Sequence, residues 1–262
     1  MMPLMQLPLP FWPIAGFILG AVIGSFLATV ILRWTEGRSV LSGRSACDGC
    51  GRTLSAADLV PLLSFLIQRG RCRTCGARID PLHPAVELGC AIAGAVSLWL
   101  APGIEGLGWA ILAWFLIVLA VLDHRHFWLP DALTMPLAFL GFTLAIWVNG
   151  VALPDRLIGA AAGYGALTLV RLGYRRLRGR EGMGGGDPKL LGALGAWMGW
   201  QTLPLILLIA SGTALMLAAW DMMKGRAVSR ATQVPLGTFM AMAAIPAWMV
   251  ATALGAASDF AG

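Results

Sequence analysis

The stretch LLGALGAWMGWQTLPLILLIASGTALMLAAW (190–220) is apolar from end to end and too long for one ordinary membrane span. A span needs roughly 20 apolar residues to cross ~30 Å of hydrocarbon. Gln201, Thr202 and Pro204 interrupt the run, and dividing it there leaves a short span at 188–200 and a longer one at 203–220. Six further apolar segments lie near 13–32, 84–101, 107–122, 133–149, 157–172 and 236–255. The 262 residues are 58% hydrophobic and 12% charged, whereas a soluble domain carries about 25% charged residues. The fold class is therefore an all-α polytopic membrane protein of about eight transmembrane helices.

The charge pattern tests that division. Eight of the 19 basic residues follow the first span (Arg33 to Arg78), one follows the third (Arg125), six follow the fifth (Arg171 to Lys189), and three follow the seventh (Lys224, Arg226 and Arg230). Only Arg156 falls on the other side. Basic residues gather in cytoplasmic loops. The pattern thus predicts that odd-numbered loops face the cytoplasm and both termini lie outside it. Merging the sixth and seventh spans would put the last three basic residues on the wrong side. The same distribution removes nucleic acid as the reason for a net charge of +6. The flank MMPLMQLPLP (1–10) holds no Lys or Arg, so the first segment reads as a span rather than a signal peptide.

Two acids fall at the inner membrane face. Asp123 closes the third span, and Asp187 opens the sixth behind Gly184, Gly185 and Gly186. On local grounds Asp187 before Pro188 reads as a helix N-cap. That reading leaves the glycines and Asp123 unexplained. Ionisable groups at membrane depth are functional-site candidates by default. Two neighbouring carboxylates share a proton, so one can activate water while the other protonates a leaving amide nitrogen. The glycines would let a backbone or an extended substrate approach closely. Asp131, in LPDALTMP, reads as the cap of the fourth span but is also a rival for Asp123 as the partner. His124 and His126 read as interfacial polar residues in a short loop. Glu87, one turn into the second span, reads as a structural acid at a helix N-terminus.

Residues 33–83 form the long hydrophilic segment. It holds Cys47 and Cys50, then 21 residues, then Cys72 and Cys75. Two C-x2-C knuckles suit tetrahedral zinc, and a reducing cytoplasm favours metal over disulfide. A segment of this size has little core, so a metal staple is physically reasonable. Cys90 reads as a small apolar filler in the second span. Between the knuckles, 55–68 reads as an amphipathic surface helix contacting membrane lipid, with basic neighbours that favour anionic headgroups.

Five stretches in order carry a family resemblance: GSFLATVILR (24–33), LVPLLSFLIQRGRCRTCGARIDPLHPAVEL (59–88), LDHRHFWLPDALTMPL (122–137), GGGDPKLLGALGAWMGW (184–200) and VPLGTFMA (234–241). The chain resembles the bacterial prepilin peptidases of type IV pilus and type II secretion systems. Gly184, Gly186 and Asp187 fit the family's GxGD motif. The family's first catalytic acid stands eight residues before the acid of the LPD element, which selects Asp123 over Asp131. The resemblance implies an intramembrane aspartic endopeptidase of the bacterial inner membrane. It would cleave the basic leader of prepilins or pseudopilins after Gly on the cytoplasmic side. It would then N-methylate the new terminus with S-adenosylmethionine. The implied organisation is a first helix (1–32), a zinc-binding cysteine domain tied to methyl transfer (33–83) and a seven-helix peptidase (84–262). The chain departs from the family in two places. Arg125 stands where many members carry a second acid. Pro235-Leu236-Gly237-Thr238 replaces the commoner Pro-Phe-Gly-Pro, a change expected not to touch the two acids. The alternatives are a peptidase without methyl transfer, and a non-enzymatic transporter or scaffold with a zinc module.

Overall fold

The computed structural model describes residues 10–35, 37–39, 44–179, 181–225 and 234–259. Arg180, Arg226 and Arg230, assigned to inner loops, lie outside them. Eight helices match the eight expected segments one for one: α1 (Phe11–Thr35), α3 (Leu82–Leu100), α4 (Ile104–His126), α5 (Asp131–Val148), α6 (Leu153–Arg178), α7 (Gly186–Met198), α8 (Leu203–Met223) and α9 (Leu236–Asp259). A five-residue helix, α2 (Leu63–Ile67), lies between α1 and α3. Seven of these helices are long and apolar enough to cross a membrane. The exception is α7, whose 13 residues reach only about 20 Å.

The chain divides into two compact units, Met1–Val118 and Leu119–Gly262, with the boundary inside α4. In the first, α1 and α3 pack backbone to backbone along Gly16, Gly20 and Gly24. A Cβ on Gly16 would lie 2.7 Å from the Gly94 carbonyl carbon. One on Gly20 would lie 2.8 Å from Ala91 Cα, and one on Gly24 2.8 Å from Glu87 Cα. Small residues every fourth position permit such close approach where apolar burial cannot drive association. Cys90 is fully buried on this seam, and its carbonyl accepts the Trp114 indole N–H at 2.9 Å.

In the second unit α7 is the core, with every residue buried except Gly186 and Lys189. Its short length follows from that position, because neighbouring helices surround it. Gly159 and Gly163 of α6 meet its backbone at Gly195 and Leu191, and Gly141 of α5 lies against Trp197. Trp197 Nε1 donates to Leu137 O at 2.7 Å, while Asn149 Nδ2 donates to Trp197 O at 2.8 Å. The chain leaves α7 at Gly199 and re-enters helix at Leu203, where the sequence divides the long apolar run. Arg156, the exception to the charge pattern, is buried, and its Nη1 donates to the Gly141 and Phe142 carbonyls at 3.2 and 2.9 Å.

The expected surface helix at 55–68 is broken. A 3-10 turn covers Ala56–Leu59, Pro61 stops it, and α2 holds only five residues. Leu62 sits at φ 61°, ψ −49°, and Leu63 N donates to Pro61 O at 2.6 Å. This is the γ-turn of positive φ, a rare and strained backbone shape. Leu59, Val60, Leu63, Leu66 and Ile67 are nonetheless exposed together.

Candidate active site and metal centre

Asp123 stands in the last turns of α4, and His124 and His126 continue that helix, exposed, rather than forming a loop. Asp187 is the second residue of α7. The N-cap is Gly185 and no side chain caps the helix, which corrects the capping reading of Asp187. Both acids are buried, at 5% and 6% exposure.

Their shared neighbour is the start of α9. Thr238 N donates to Asp123 Oδ2 at 2.6 Å, and Thr238 Oγ1 lies 3.1 Å from both that oxygen and Ala120 O. Gly237, one residue earlier, and Gly184 lie near enough for their N–H groups to act on the Asp187 carboxylate electrostatically. The first N–H groups of a helix have no internal partner and carry its positive dipole end. The start of α9 thus lies beside both acids, with its Thr238 N–H bonded to Asp123.

Packing explains two of the glycines. Leu129, buried between α4 and α5, leaves no room for a side chain at Gly186, whose Cβ would lie 2.5 Å from Leu129 Cβ. A Cβ on Gly237 would lie 2.7 Å from Leu129 Cδ1 and 3.0 Å from Asp123 Cγ. The Gly184 position lies in ordinary contact with Asp187, 3.6 Å from its Oδ2. Asp131 does not cap α5. It is exposed, follows the N-cap Pro130, and pairs with Lys189 of α7 at 2.5 Å. Thr238 is the residue the sequence reading missed, since the last-helix departure was expected not to touch the acids. The available signal was a Gly-Thr pair opening an apolar run, where a helix start offers free N–H groups.

Thr238→Val keeps the backbone donor and removes the hydroxyl. A lost hydrogen bond of about 1 kcal/mol predicts roughly a fivefold fall in kcat on a prepilin peptide. Unchanged kcat would assign the hydroxyl to Ala120 alone.

In the first unit the four cysteine sulfurs lie within 4.8 Å of one another. Cys47 Sγ and Cys75 Sγ are 3.7 Å apart. A tetrahedral ion with metal–sulfur bonds of ~2.3 Å needs sulfurs roughly 3.8 Å apart, so the donor set fits zinc. The two knuckles repeat one geometry. Gly51 N donates to Cys47 O at 2.8 Å and Gly76 N to Cys72 O at 3.0 Å. Both glycines have positive φ, 68° and 72°, which closes each turn. Single antiparallel bridges flank them, Ala46 with Thr53 and Arg71 with Arg78. Backbone N–H groups of Cys75 and Thr74 pull the Cys72 thiol down, while the neighbouring sulfurs push the Cys75 thiol up, so the cluster favours a first thiolate at Cys72.

Asp58, which the sequence reading passed over, ties the module together. It accepts from Ser55 N and Oγ at 3.0 and 2.8 Å, from Arg52 at 3.1 Å, and from Arg73 at 3.3 Å. These donors hold its carboxyl below the usual carboxylate range, with the Ser55 N–H the largest cause. Each arginine comes from a different knuckle.

The two halves match separate family descriptions: the bacterial peptidase A24 N-terminal domain over residues 18–101, and the type IV leader peptidase family over 110–219. Three similar curated proteins carry the name prepilin leader peptidase/N-methyltransferase. One from Pseudomonas putida is 36% identical over 249 residues, 86% of each chain. One from Aeromonas hydrophila is 38% identical over 252 residues, 87% of each chain. One from Klebsiella pneumoniae is 40% identical over 213 residues, 78% of this chain and 93% of its own. No solved structure matches the chain. A multi-pass helical bundle, two buried acids at one helix start, a four-cysteine cluster and relatives spanning nearly the whole length converge: this chain belongs to the type IV leader peptidase family.

Proposed function

We infer that this chain is a membrane aspartic endopeptidase and N-methyltransferase of prepilins or pseudopilins. The observation that carries the peptidase reading is the burial of both Asp123 and Asp187 beside the start of α9, where the Thr238 N–H bonds Asp123. Two buried carboxylates so held can share one proton. The ionised one takes a proton from water, and the protonated one supplies the leaving amide nitrogen. Gly184, beside Asp187, keeps its approach free of a side chain. The names of the relatives support a prepilin substrate and methyl transfer. Cys47, Cys50, Cys72 and Cys75 would hold zinc as a structural staple. S-adenosylmethionine is the expected methyl donor. The exposed apolar edge at 59–67 would rest on lipid.

Co-expression with a prepilin carrying a Gly/Phe junction tests this function. The expected product has lost its leader and carries one extra methyl on its N-terminal Phe by mass. A cleaved but unmethylated product would leave a peptidase alone. Orientation is tested separately. Externally added thiol reagent should reach cysteines placed at positions 103, 153 and 257, but not at 45 or 178. Labelling at 178 from outside would put the arginine-rich end of α6 on the wrong side and refute the cytoplasmic cleavage site.

A further inference from the structure

The first unit contains a cavity of about 460 Å³ whose lining lies wholly between Ser25 and Glu87. Its size falls within the ~300–1,000 Å³ of small-molecule and cofactor sites. One side is polar, from Ser25 and Thr29 on α1. Leu54, Leu59 and Phe65 contribute apolar lining, and Cys47 and Cys72 join the cavity to the metal cluster.

At its membrane end stands Glu87, 7% exposed. Its Oε2 accepts the Leu62 N–H at 2.8 Å, which holds the strained γ-turn. Its Oε1 has no hydrogen-bond partner among the described residues, and no Lys or Arg pairs with it there. Of the four arginines in the cavity wall, Arg33 donates to Arg44 O at 3.3 Å and Arg38 pairs with Asp48 at 3.6 Å, and none forms an ion pair with Glu87 among the described residues. His83 lies one turn earlier on α3, near enough to feel the Glu87 charge but without a hydrogen bond to it. A largely buried carboxylate that lines a ligand-sized cavity is placed to oppose a cation brought in from outside the chain.

We propose that this cavity holds the methyl donor, S-adenosylmethionine, with Glu87 opposing its positively charged sulfonium. The proposal rests on the methyltransferase reading above and names the residues that reading lacks. The apolar lining receives the adenine. The polar α1 side meets the amino-acid end. The adjoining cysteine cluster holds this wall in shape, which ties methyl transfer to the metal.

Glu87→Gln separates the two roles of this side chain. The amide oxygen still accepts the Leu62 N–H, so the turn is kept, but the charge is gone. Equilibrium dialysis on the purified full chain would use S-adenosylmethionine and its uncharged product, S-adenosylhomocysteine. Loss of the charge should weaken the sulfonium ligand about tenfold and the neutral one less than twofold. Leader cleavage by the same preparation reports that the chain is folded. Thr29→Phe, which fills the cavity from α1, should weaken both ligands alike. Equal affinities for the sulfonium ligand in the wild type and Glu87→Gln would overturn the assignment, even if methylation fell. Failure of the wild-type chain to bind either ligand would instead refute the donor reading itself.

Discussion

Asp123→Asn and Asp187→Asn each reduce leader cleavage by about a thousandfold or more while the protein still inserts into the membrane. Asparagine is nearly isosteric and can still accept from the α9 N–H groups, so the architecture around Thr238 and Gly237 is kept. What disappears is the proton that two carboxylates share. Removing either acid removes the pair, so the double variant should be no worse than either single one. Asp131→Asn is the control. It loses an exposed ion pair with Lys189, worth about 1 kcal/mol or less, and should cleave nearly normally. The measurement is the rate of leader removal from a prepilin peptide, normalised to enzyme recovered from membranes. Near-normal cleavage by either Asn variant would remove that residue from the proposed pair.

Replacing Cys47, Cys50, Cys72 and Cys75 together with Ser should abolish zinc binding and reduce methyl transfer at least a hundredfold, with cleavage retained in part. Structural zinc contributes roughly 10–16 kcal/mol of folding free energy in small metal modules. This module has little else. Among its described residues the contacts that cross between knuckles centre on Asp58, and a carboxylate with two arginines cannot replace four metal bonds. The acids belong to the other compact unit, where Asp123 is bonded by Thr238 of α9. Zinc content, cleavage and methyl transfer should be measured on one preparation. Complete loss of cleavage in a folded protein would show that the module helps to build the protease site. Stoichiometric zinc without the cysteines would refute the metal assignment.

Much of this was legible from the chain alone, because it depends on residues close in sequence or on the membrane itself. Apolar length sets the helices, and the break at 199–202 falls where Gln201, Thr202 and Pro204 interrupt the run. The CxxC spacing brings four sulfurs together. The glycine seam of α1 was also written in the sequence, at every fourth residue, but its meaning depended on which helix it met. Only tertiary structure decided the rest. Thr238 reaches Asp123 across 115 positions, Glu87 reaches Leu62 across 25, and Lys189 reaches Asp131 across 58. No local pattern encodes such pairs. Asp131 and Asp187 both resemble helix caps by sequence, yet one pairs with a lysine and the other faces α9. Local propensity weighs about 1 kcal/mol for a cap, and long-range packing readily outweighs it. The sequence by itself determined which segments cross the membrane and which residue types could do chemistry. The meeting of α4, α7 and α9 decided which acids share a helix start, because a carboxylate buried at membrane depth settles where unpaired N–H groups can receive it.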